Sequence, residues 1–596
     1  MTQSRFSALG LFLAVFLCFQ TTHAQQTNPP DNAKKAAEAA VREKAFKLLD
    51  SLADQLGSLQ SAENRARIGS NIAESIWSHD EERARNLFRL AAEDIKLGLQ
   101  QSKDDRNSEQ TFALFQKLRE DNVERIAKHD PELALTVLKE TFPAVVEATQ
   151  EPGGEVPDQI RHREHTLELR LAQKIGPRNA DVAVQLARQS LEKGFSDDLV
   201  LLLIRLNSKN REQAQSLYRS IVRKLREADF RDSRQKNQYD YPELSLATRL
   251  VEHFTPPAAD EAIYRELVNV LLTKAIAEGC DRGRSENDMY QSRVNLCGYF
   301  GRFVPLMEKF YPAQARQLRH WAPEGDEFRP DTLTQSYEEL NYLSVNGTID
   351  EILALSSKYP ALSDEILMRA ISRAENDGDL ERAQKIASTY RGENPDFQRR
   401  LNERAEFYNL SEARLEQEWA RAEKGYARLA PSERAESLLS AANFIALINK
   451  KFALKLLDQA SGLADAFVPG EKQIKFEMGL ALTYCLAKDD RGFAMMESLL
   501  PKLNELVGAA AKLDGFDTRY LRDGEWNMSA AGSTGNLLTL LAKNAGAFAW
   551  CDFDRAVSLA AQFDRSEIRM MAQLKLAQGI LAGPPRPFAN EPMSYR

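Results

Sequence analysis

The chain has 596 residues, with 79 Lys and Arg against 87 Asp and Glu, which gives a formal net charge of −8. This negative balance excludes a polyanion such as nucleic acid as a partner of the molecule as a whole. A single compact core stops growing near about 250–300 residues, so this length requires several domains or a repeat array.

The first 24 residues have the pattern of a secretory signal peptide. Arg5 is followed by an apolar run over 9–19 and by the small residues Thr22 and Ala24, and we expect cleavage after Ala24. The run is shorter than the ~20 residues of a membrane-spanning helix, with an uncleaved anchor as the alternative. We therefore expect an exported protein, periplasmic or extracellular, without membrane insertion after signal removal. Residues 25–40 are expected to form a flexible leader.

The dominant pattern of the chain is a short helix-start motif that recurs eight times. In each copy an Asp or Asn stands four residues before an Ala. Asp and Asn are preferred N-caps because their side-chain oxygens accept the free amide hydrogens of the first helical turn. The small Ala allows a paired helix to approach closely. The copies are Asp80/Ala84, Asp130/Ala134, Asn179/Ala183, Asn210/Ala214, Asp379/Ala383, Asn449/Ala453, Asp490/Ala494 and Asp552/Ala556.

These motifs predict an all-α protein, an α-solenoid of stacked antiparallel helix pairs. The motif does not recur between Asn210/Ala214 and Asp379/Ala383. We therefore expect an irregular helical middle between two arrays, and a disordered Pro-rich tail. The predicted segments are an N-terminal helical repeat array over 41–225, the middle over 226–345, a C-terminal array over 346–582 and the tail over 583–596.

The paired-helix pattern resembles that of tetratricopeptide-like and related α-solenoid proteins. The resemblance covers most of 60–225 and 346–582 and is carried by units such as SHDEERARNLFRLA (78–91), KHDPELALTVLKE (128–140) and NDGDLERAQKIA (376–387). It implies a scaffold or binding role and not a reaction.

Strand signals are nearly absent. We find no Asn-Gly or Asp-Gly turn between alternating β-branched runs, which is the usual mark of a β-hairpin. The sequence therefore predicts strand content near zero.

The four cysteines after the signal peptide fall into two groups. Cys280 and Cys297 flank a polar stretch in a chain predicted to enter an oxidising compartment, so either a disulfide or two free thiols is expected. Cys485 and Cys551 lie in apolar helical surroundings and are expected to be small core residues.

Motifs for metal or cofactor chemistry are not apparent. His162 and His165 are three residues apart near Glu164, but a zinc site needs three or four ligands. We find no phosphate-binding Gly-rich loop, no dinucleotide fingerprint and no GxSxG nucleophile elbow. The sequence predicts no metal, no cofactor and no catalytic residue.

The strongest candidate for a ligand site is the segment 513–535. It is longer than an ordinary connection between helices, and such loops are often functional. The alternative is that its aromatic side chains fasten the segment to the helices. The candidate ligand-binding residues are Arg519, Tyr520, Asp523, Glu525 and Trp526.

Three functions are compatible with these observations. The leading hypothesis is an exported, non-catalytic scaffold that binds a protein or peptide partner on a concave helical surface. The second is an all-helical secreted enzyme acting on polysaccharide or cell wall, and the third is a structural spacer of the envelope. The sequence does not fix the oligomeric state.

Overall fold

The computed structural model describes residues 31–585, except for 105–107, 150–156, 177–178, 231–241, 282–291, 323–335, 338, 342, 345–346, 378, 390–398, 400–411, 517 and 530–531. The predicted signal peptide, residues 25–30 of the predicted leader and residues 586–596 of the predicted tail lie outside the described residues. The described part of the leader is helical, since the first helix begins at Asp31 and not near residue 41.

The described residues are almost entirely helical, which confirms the predicted fold class. The helices, in chain order, are α1 Asp31–Gln55, α2 Ala62–Ile76, α3 Glu81–Gln101, α4 Ser108–His129, α5 Pro131–Thr149, α6 Asp158–Ile175, α7 Ala180–Lys193, α8 Asp198–Lys209, α9 Arg211–Glu227, α10 Pro242–His253, α11 Glu261–Ala277, α12 Ser292–Gly301, α13 Val304–Phe310, α14 Pro312–Ala315, α15 Ile349–Lys358, α16 Ser363–Asn376, α17 Leu380–Ser388, α18 Glu412–Tyr426, α19 Pro431–Ile445, α20 Lys450–Ser461, α21 Glu471–Leu486, α22 Arg491–Lys512, α23 Ser533–Cys551, α24 Phe553–Ala560 and α25 Ser566–Leu581. Among them, no helix is both long enough and apolar enough to cross a membrane.

The chain divides into two compact units. The terminal unit combines Met1–Gly98 with Leu340–Arg596, and the middle unit is Leu99–Glu339. This division differs from the predicted boundaries at 225/226 and 345/346, because the first helices of the chain group with its last helices.

The middle unit is a stack of helix pairs. Helix α6 packs on α7, and α8 packs on α9. Helices α6, α7, α9 and α11 also pack on the second helix after them. This pattern of next and next-but-one contacts is that of a solenoid. One apolar core runs from Leu169 to Trp321, so the described part of the predicted irregular middle up to Trp321 shares its core with the preceding repeats. Within this core Cys280 and Cys297 form a disulfide, with Cα atoms 5.5 Å apart.

The terminal unit is built in the same way. Helices α19, α21, α23 and α25 pack on one another in turn, and both α1 and α2 then pack on α25. The side-chain amide of Gln578 on α25 donates to Asn71 Oδ1 at 3.3 Å and Ser75 Oγ at 3.1 Å on α2. The first helices of the chain thus continue the stack that its last helices form.

Helices α23 and α25 cross through a pair of glycines. A Cβ built on Gly579 would lie 2.4 Å from Gly546 Cα, so no side chain fits between the two backbones. The indole Nε1 of Trp550 donates to Gly579 O at 2.9 Å beside this contact. Close helix contacts of this kind need the smallest residues.

Seven of the eight repeat motifs have the predicted geometry. In each of the seven, the Asp or Asn oxygen accepts the amide hydrogen of the third residue after it. The Ala of each is fully or almost fully buried. The exception is Asp490/Ala494, where Asp490 makes no capping hydrogen bond and Ala494 is exposed.

The described part of the chain contains one short β-hairpin with an Asp-Gly turn, which the search for turns between alternating β-branched runs missed. Strands β1 Leu521–Arg522 and β2 Glu525–Trp526 pair antiparallel around Asp523 and Gly524. Both turn residues have positive φ, 52° and 78°, as a type I′ turn requires. Asp-Gly is favoured at these positions because glycine has no steric penalty there and Asp tolerates the left-handed region.

Candidate functional site

The hairpin and the two residues before it contain the five predicted ligand-binding residues, and strand β2 is buried. The Trp526 side chain is only 2% exposed, and its ring lies 5.4 Å from that of Tyr520. The Trp526 amide donates to Glu567 Oε1 on α25 at 2.6 Å, and its carbonyl accepts from Asn64 Nδ2 on α2 at 3.1 Å. The tryptophan therefore links the hairpin to both helices.

Glu525 is held by the N-terminal end of α2. Its carboxylate accepts from the amides of Gln60 at 2.7 Å and Ser61 at 3.1 Å, and from Asn64 Nδ2 at 3.0 Å. A carboxylate placed at the start of a helix also meets the positive end of the helix dipole. With three donors already bound, Glu525 acts here as a structural acceptor.

Two further buried carboxylates beside the hairpin are paired with arginines. Glu63 on α2 lies 3.4 Å from Arg522 Nε and 3.0 Å from an Arg67 nitrogen. Glu567 accepts from Arg565 Nε at 2.5 Å. Buried charges are tolerated when they are paired and hydrogen-bonded in this way.

The remaining predicted residues are placed differently. Arg519 and Asp523 are exposed, Asp523 in the turn, and Tyr520 is partly buried against Trp526. The structure brings together Tyr520, Glu525 and Trp526, and the contacts of the last two are those of a packing element. The alternative that the aromatic side chains fasten the segment to the helices describes this geometry, and ligand binding by the five residues stays a prediction.

The histidine pair does not share one environment. Glu164 is bound by the buried Arg119 guanidinium at 2.7 and 2.8 Å. His165 is 5% exposed, and its Nε2 has no hydrogen-bond partner among the described residues, while His162 is exposed. Burial is the main reason that the pKa of His165 is lowered to about 4. His162 and Lys193 also lower this pKa, whereas the Asp198 carboxylate raises it. His165 is thus a neutral core residue at pH 7.

A groove that the sequence did not reveal lies in the terminal unit beside the Asp490/Ala494 copy, which we call the departing repeat because it lacks the geometry of the other seven. It has a volume of about 550 Å³ and lies between α20, α21 and α22. Its lining residues are Asp458, Ser461, Tyr484, Arg491, Ala494, Met495 and Ser498. They combine two apolar side chains with hydroxyl groups and two opposite charges.

Arg491 organises the polar side of the groove. Its Nη1 donates to Asp458 Oδ1 at 2.5 Å, and its Nε donates to Asp489 Oδ1 at 2.8 Å. Its guanidinium carbon stacks over the Tyr484 ring, 4.4 Å from the centroid, and the Tyr484 hydroxyl donates to Asp458 Oδ1 at 3.0 Å. A guanidinium held by two carboxylates and a ring is fixed in direction, which suits a binding surface.

The ionisation of this cluster follows from its contacts. The Arg491 hydrogen bond lowers the pKa of Asp489. Burial raises the pKa of Tyr484, and the hydrogen bond to Asp489 raises the pKa of Arg491. At neutral pH Asp489 is therefore a carboxylate, Tyr484 a neutral phenol and Arg491 a cation.

The groove lies where the Asp490/Ala494 copy departs from the geometry of the other seven. The Asp490 side chain caps no amide, and the neighbouring Asp489 carboxylate accepts the Arg491 amide hydrogen at 3.1 Å. Gly492 takes over the close approach, since a Cβ there would lie 2.5 Å from Ala481 O on α21. Ala494 is released from the helix contact and lines the groove instead. The only sequence signal was the doubled Asp489-Asp490 at the helix start, which capping alone explains equally well.

Comparisons with known proteins identify no relative that could assign a function. No protein-family model matches the chain, and no curated protein matches it. A solved structure described as a circular tandem repeat protein with novel repeat topology and enhanced subunit contact surfaces is similar over 92% of this chain and 97% of that chain. The identity is 13% and the TM-score 0.16, values at which the similarity carries no argument. The helix pairs themselves define the class, an all-α helical repeat protein.

Proposed function

We propose that this protein is an exported, non-catalytic scaffold with tetratricopeptide-like helix pairs, and that it binds a protein or peptide partner. The observation that carries the proposal is the groove at the departing repeat. Seven motifs bury their Ala, and the Asp490/Ala494 copy exposes Ala494 beside an oriented arginine. Departures from an otherwise consistent local rule are expected at functional sites.

The groove chemistry suits a peptide segment. Ala494 and Met495 offer apolar contact, and methionine adapts its shape to different partners. The side chains of Arg491 and Asp458 are 49% and 55% exposed, so each can bind an opposite charge of a partner while keeping its neighbour. A short segment with an apolar residue next to a charged one would fill the groove.

The same contacts argue against proton-transfer chemistry at this place. The Tyr484 hydroxyl donates a hydrogen bond to Asp458, and burial raises the Tyr484 pKa, so the phenol stays neutral. Arg491 stays charged under all ordinary conditions. A general acid or base works best with a pKa near the operating pH, and neither residue meets that condition.

Export is supported by two observations. The first 24 residues have the signal-peptide pattern. The disulfide between Cys280 and Cys297 is of a kind that persists in oxidising compartments and is rare in the cytosol.

The test is a selection followed by two matched variants. A random-peptide phage library is panned against the wild-type protein, and selected peptides are measured by fluorescence anisotropy. Ala494→Arg places a long charged side chain in the groove. Ala509→Arg makes the same change at an exposed site of the same helix, outside the groove lining.

We expect Ala494→Arg to weaken the selected peptides at least tenfold, about 1.4 kcal/mol, and Ala509→Arg to leave them unchanged. Equal affinity in both variants, or no selectable peptide, would contradict binding at this groove. Release of reducing ends from cell-wall glycan or soluble polysaccharide by the wild-type protein would contradict the non-catalytic part of the proposal.

A further inference from the structure

Helix α22 lines two depressions on the surface of the terminal unit. Its residues between 491 and 498 line the groove, and its residues between 500 and 505 line a second depression of about 450 Å³. The second depression is lined by Leu500, Pro501, Asn504, Glu505, Gln562 and Asp564. Because one helix contributes to both, a single partner segment can follow it from the groove to the second depression.

Asn504 holds the second depression together. Its Nδ2 donates to Gln562 O at 3.0 Å, and its Oδ1 accepts from the Asp564 amide at 3.3 Å, which ties α22 to the turn between α24 and α25. Glu505 and Asp564 are exposed, and their carboxylates have no partner among the described residues. The charge of the second depression is therefore negative.

The positive charges along this stretch of α22 are already bound by carboxylates. Within 491–505 the cations are Arg491 and Lys502. Arg491 donates from Nη1 to Asp458 Oδ1 at 2.5 Å, and from Nε and Nη2 to the two oxygens of Asp489 at 2.8 and 3.2 Å. Lys502 Nζ lies 3.4 Å from Glu477 Oε2 on α21. Each cation thus has at least one opposite charge beside it before a partner arrives.

Asp458 keeps one free oxygen in the groove. Its Oδ1 accepts from both the Tyr484 hydroxyl and Arg491, while its Oδ2 has no hydrogen-bond partner among the described residues. The Asp458 side chain is 55% exposed. With Asp489, two carboxylates surround one guanidinium, so the groove has a net negative charge. Unpaired carboxylates at the two depressions attract a positively charged partner.

We propose that the partner is a basic peptide segment that lies along α22. One of its positively charged side chains binds Asp458 in the groove, and another binds Glu505 and Asp564 in the second depression. This inference rests on the proposed function, because it names the chemistry of the partner of the same groove. The apolar contact of the segment is with Ala494 and Met495.

The helix sets the spacing of the two positive charges. Asp458 is bound to Arg491, and Glu505 follows Arg491 by fourteen positions. Fourteen positions are close to four helical turns, so both residues lie on the same side of α22, about 21 Å apart along its axis. An extended peptide rises about 3.3 Å per residue, and it covers this distance in about six residues.

The experiment uses the full chain and twelve-residue peptides selected on it from the random-peptide phage library. We expect Lys and Arg to be enriched in the selected peptides, at two positions about six residues apart. Each selected peptide is then synthesised with and without a Gln in place of its second basic residue. Affinities are measured by fluorescence anisotropy at about 50 mM and about 500 mM salt, since salt screens exposed charges.

Two double variants carry the comparison. Glu505→Gln/Asp564→Asn removes both carboxylates of the second depression. Glu381→Gln/Asp465→Asn removes the same two groups from exposed sites of the terminal unit that line neither depression. We expect the first double variant to weaken the selected peptides about threefold at low salt, in keeping with exposed charge pairs, and the second to leave them unchanged. The Gln-substituted peptide should not distinguish the first double variant from the wild type.

The outcomes separate this inference from the proposed function. Selected peptides rich in Asp and Glu, or without enrichment of Lys and Arg, would overturn the inference. So would equal weakening by the two double variants, because the attraction would then come from the overall net charge. If Ala494→Arg weakens the peptides but Glu505→Gln/Asp564→Asn does not, binding at the groove stands and the basic segment along α22 is wrong. If Ala494→Arg has no effect, or no peptide is selected, both proposals fail.

Discussion

Removal of the Trp526 side chain should loosen the connection between the two ends of the terminal unit. The hairpin contacts α2 near residues 60–64 and α25 at Glu567, and Trp526 is its buried anchor. Residues more than 460 positions apart in sequence meet there. Trp526→Ala therefore tests whether 513–535 is a structural fastener.

The expected loss follows from the buried area. A tryptophan buries about 150–250 Å², which at about 25 cal/mol per Å² corresponds to roughly 4–6 kcal/mol. Truncation of buried aromatic residues to Ala costs about 3–5 kcal/mol in cores of known stability. We expect a loss of about 3–5 kcal/mol in the free energy of unfolding of the terminal unit.

The assay must separate the two compact units, because a single two-state fit does not apply to such a chain. Hydrogen exchange with mass spectrometry along a urea series provides that separation. Helices α2 and α25 should lose protection, and α6 to α9 in the middle unit should not. Phe516→Ala is the matched control, since Phe516 lies in the same segment and is 81% exposed.

We expect the Phe516→Ala variant to change stability by no more than about 0.5 kcal/mol. If Trp526→Ala costs less than about 1 kcal/mol, the burial argument is refuted. A loss of protection in both units would also show that the effect is not local to the hairpin.

Three further predictions follow from the repeat contacts and the buried histidine. Ala183→Leu should overpack a helix crossing and cost about 1–3 kcal/mol, whereas Ala494→Leu at the exposed copy should stay within about 0.5 kcal/mol, both by urea unfolding. Gly579→Ala should lower the melting temperature because the added Cβ would meet the backbone of the facing helix. Gly508→Ala, whose added Cβ has nothing within 4 Å, should raise stability by about 0.5–1 kcal/mol. Equal effects of the two substitutions would contradict the close contact at Gly579. The pKa of His165, about 4 when folded, lies below its value of 6.5 when unfolded, so the unfolded chain binds more protons between these values. The stability of the middle unit should therefore be complete above pH 6.5 and fall by on the order of 3 kcal/mol as the pH drops towards 4, and His165→Phe should remove that part of the slope.

The repeat motifs could be predicted because their causes are local. An N-cap is decided by one side chain and the next three amides, and the buried Ala follows from the helical period. Asn179, Asn210 and Asn449 therefore have the geometry that the sequence indicated. The exception at Asp490 depends on Gly492 meeting another helix, which no local pattern contains.

The hairpin was missed for a different reason. Asp523-Gly524 is a strong turn signal, but each strand is two residues long and shows no alternation of β-branched residues. The tertiary contacts of Glu525 and Trp526, and not strand propensity, hold it in place.

Two features could not be predicted from the sequence because both depend on long-range contacts. They are the packing of the first helices on the last helix, and the groove. Helix α25 receives α1 and α2 from the opposite end of the chain. Asp458, Tyr484 and Arg491 come from three places along the sequence and meet only after α20 to α22 pack. No spacing rule predicts such a meeting.

The proposed place of partner binding is the groove lined by Asp458, Tyr484 and Arg491. Its most direct test is hydrogen exchange of the wild-type protein with and without a peptide selected from the phage library. We expect new protection at the end of α20 and over 484–498, with the protection of residues 519–526 unchanged. Protection confined to the hairpin, or to helices that do not line the groove, would contradict it.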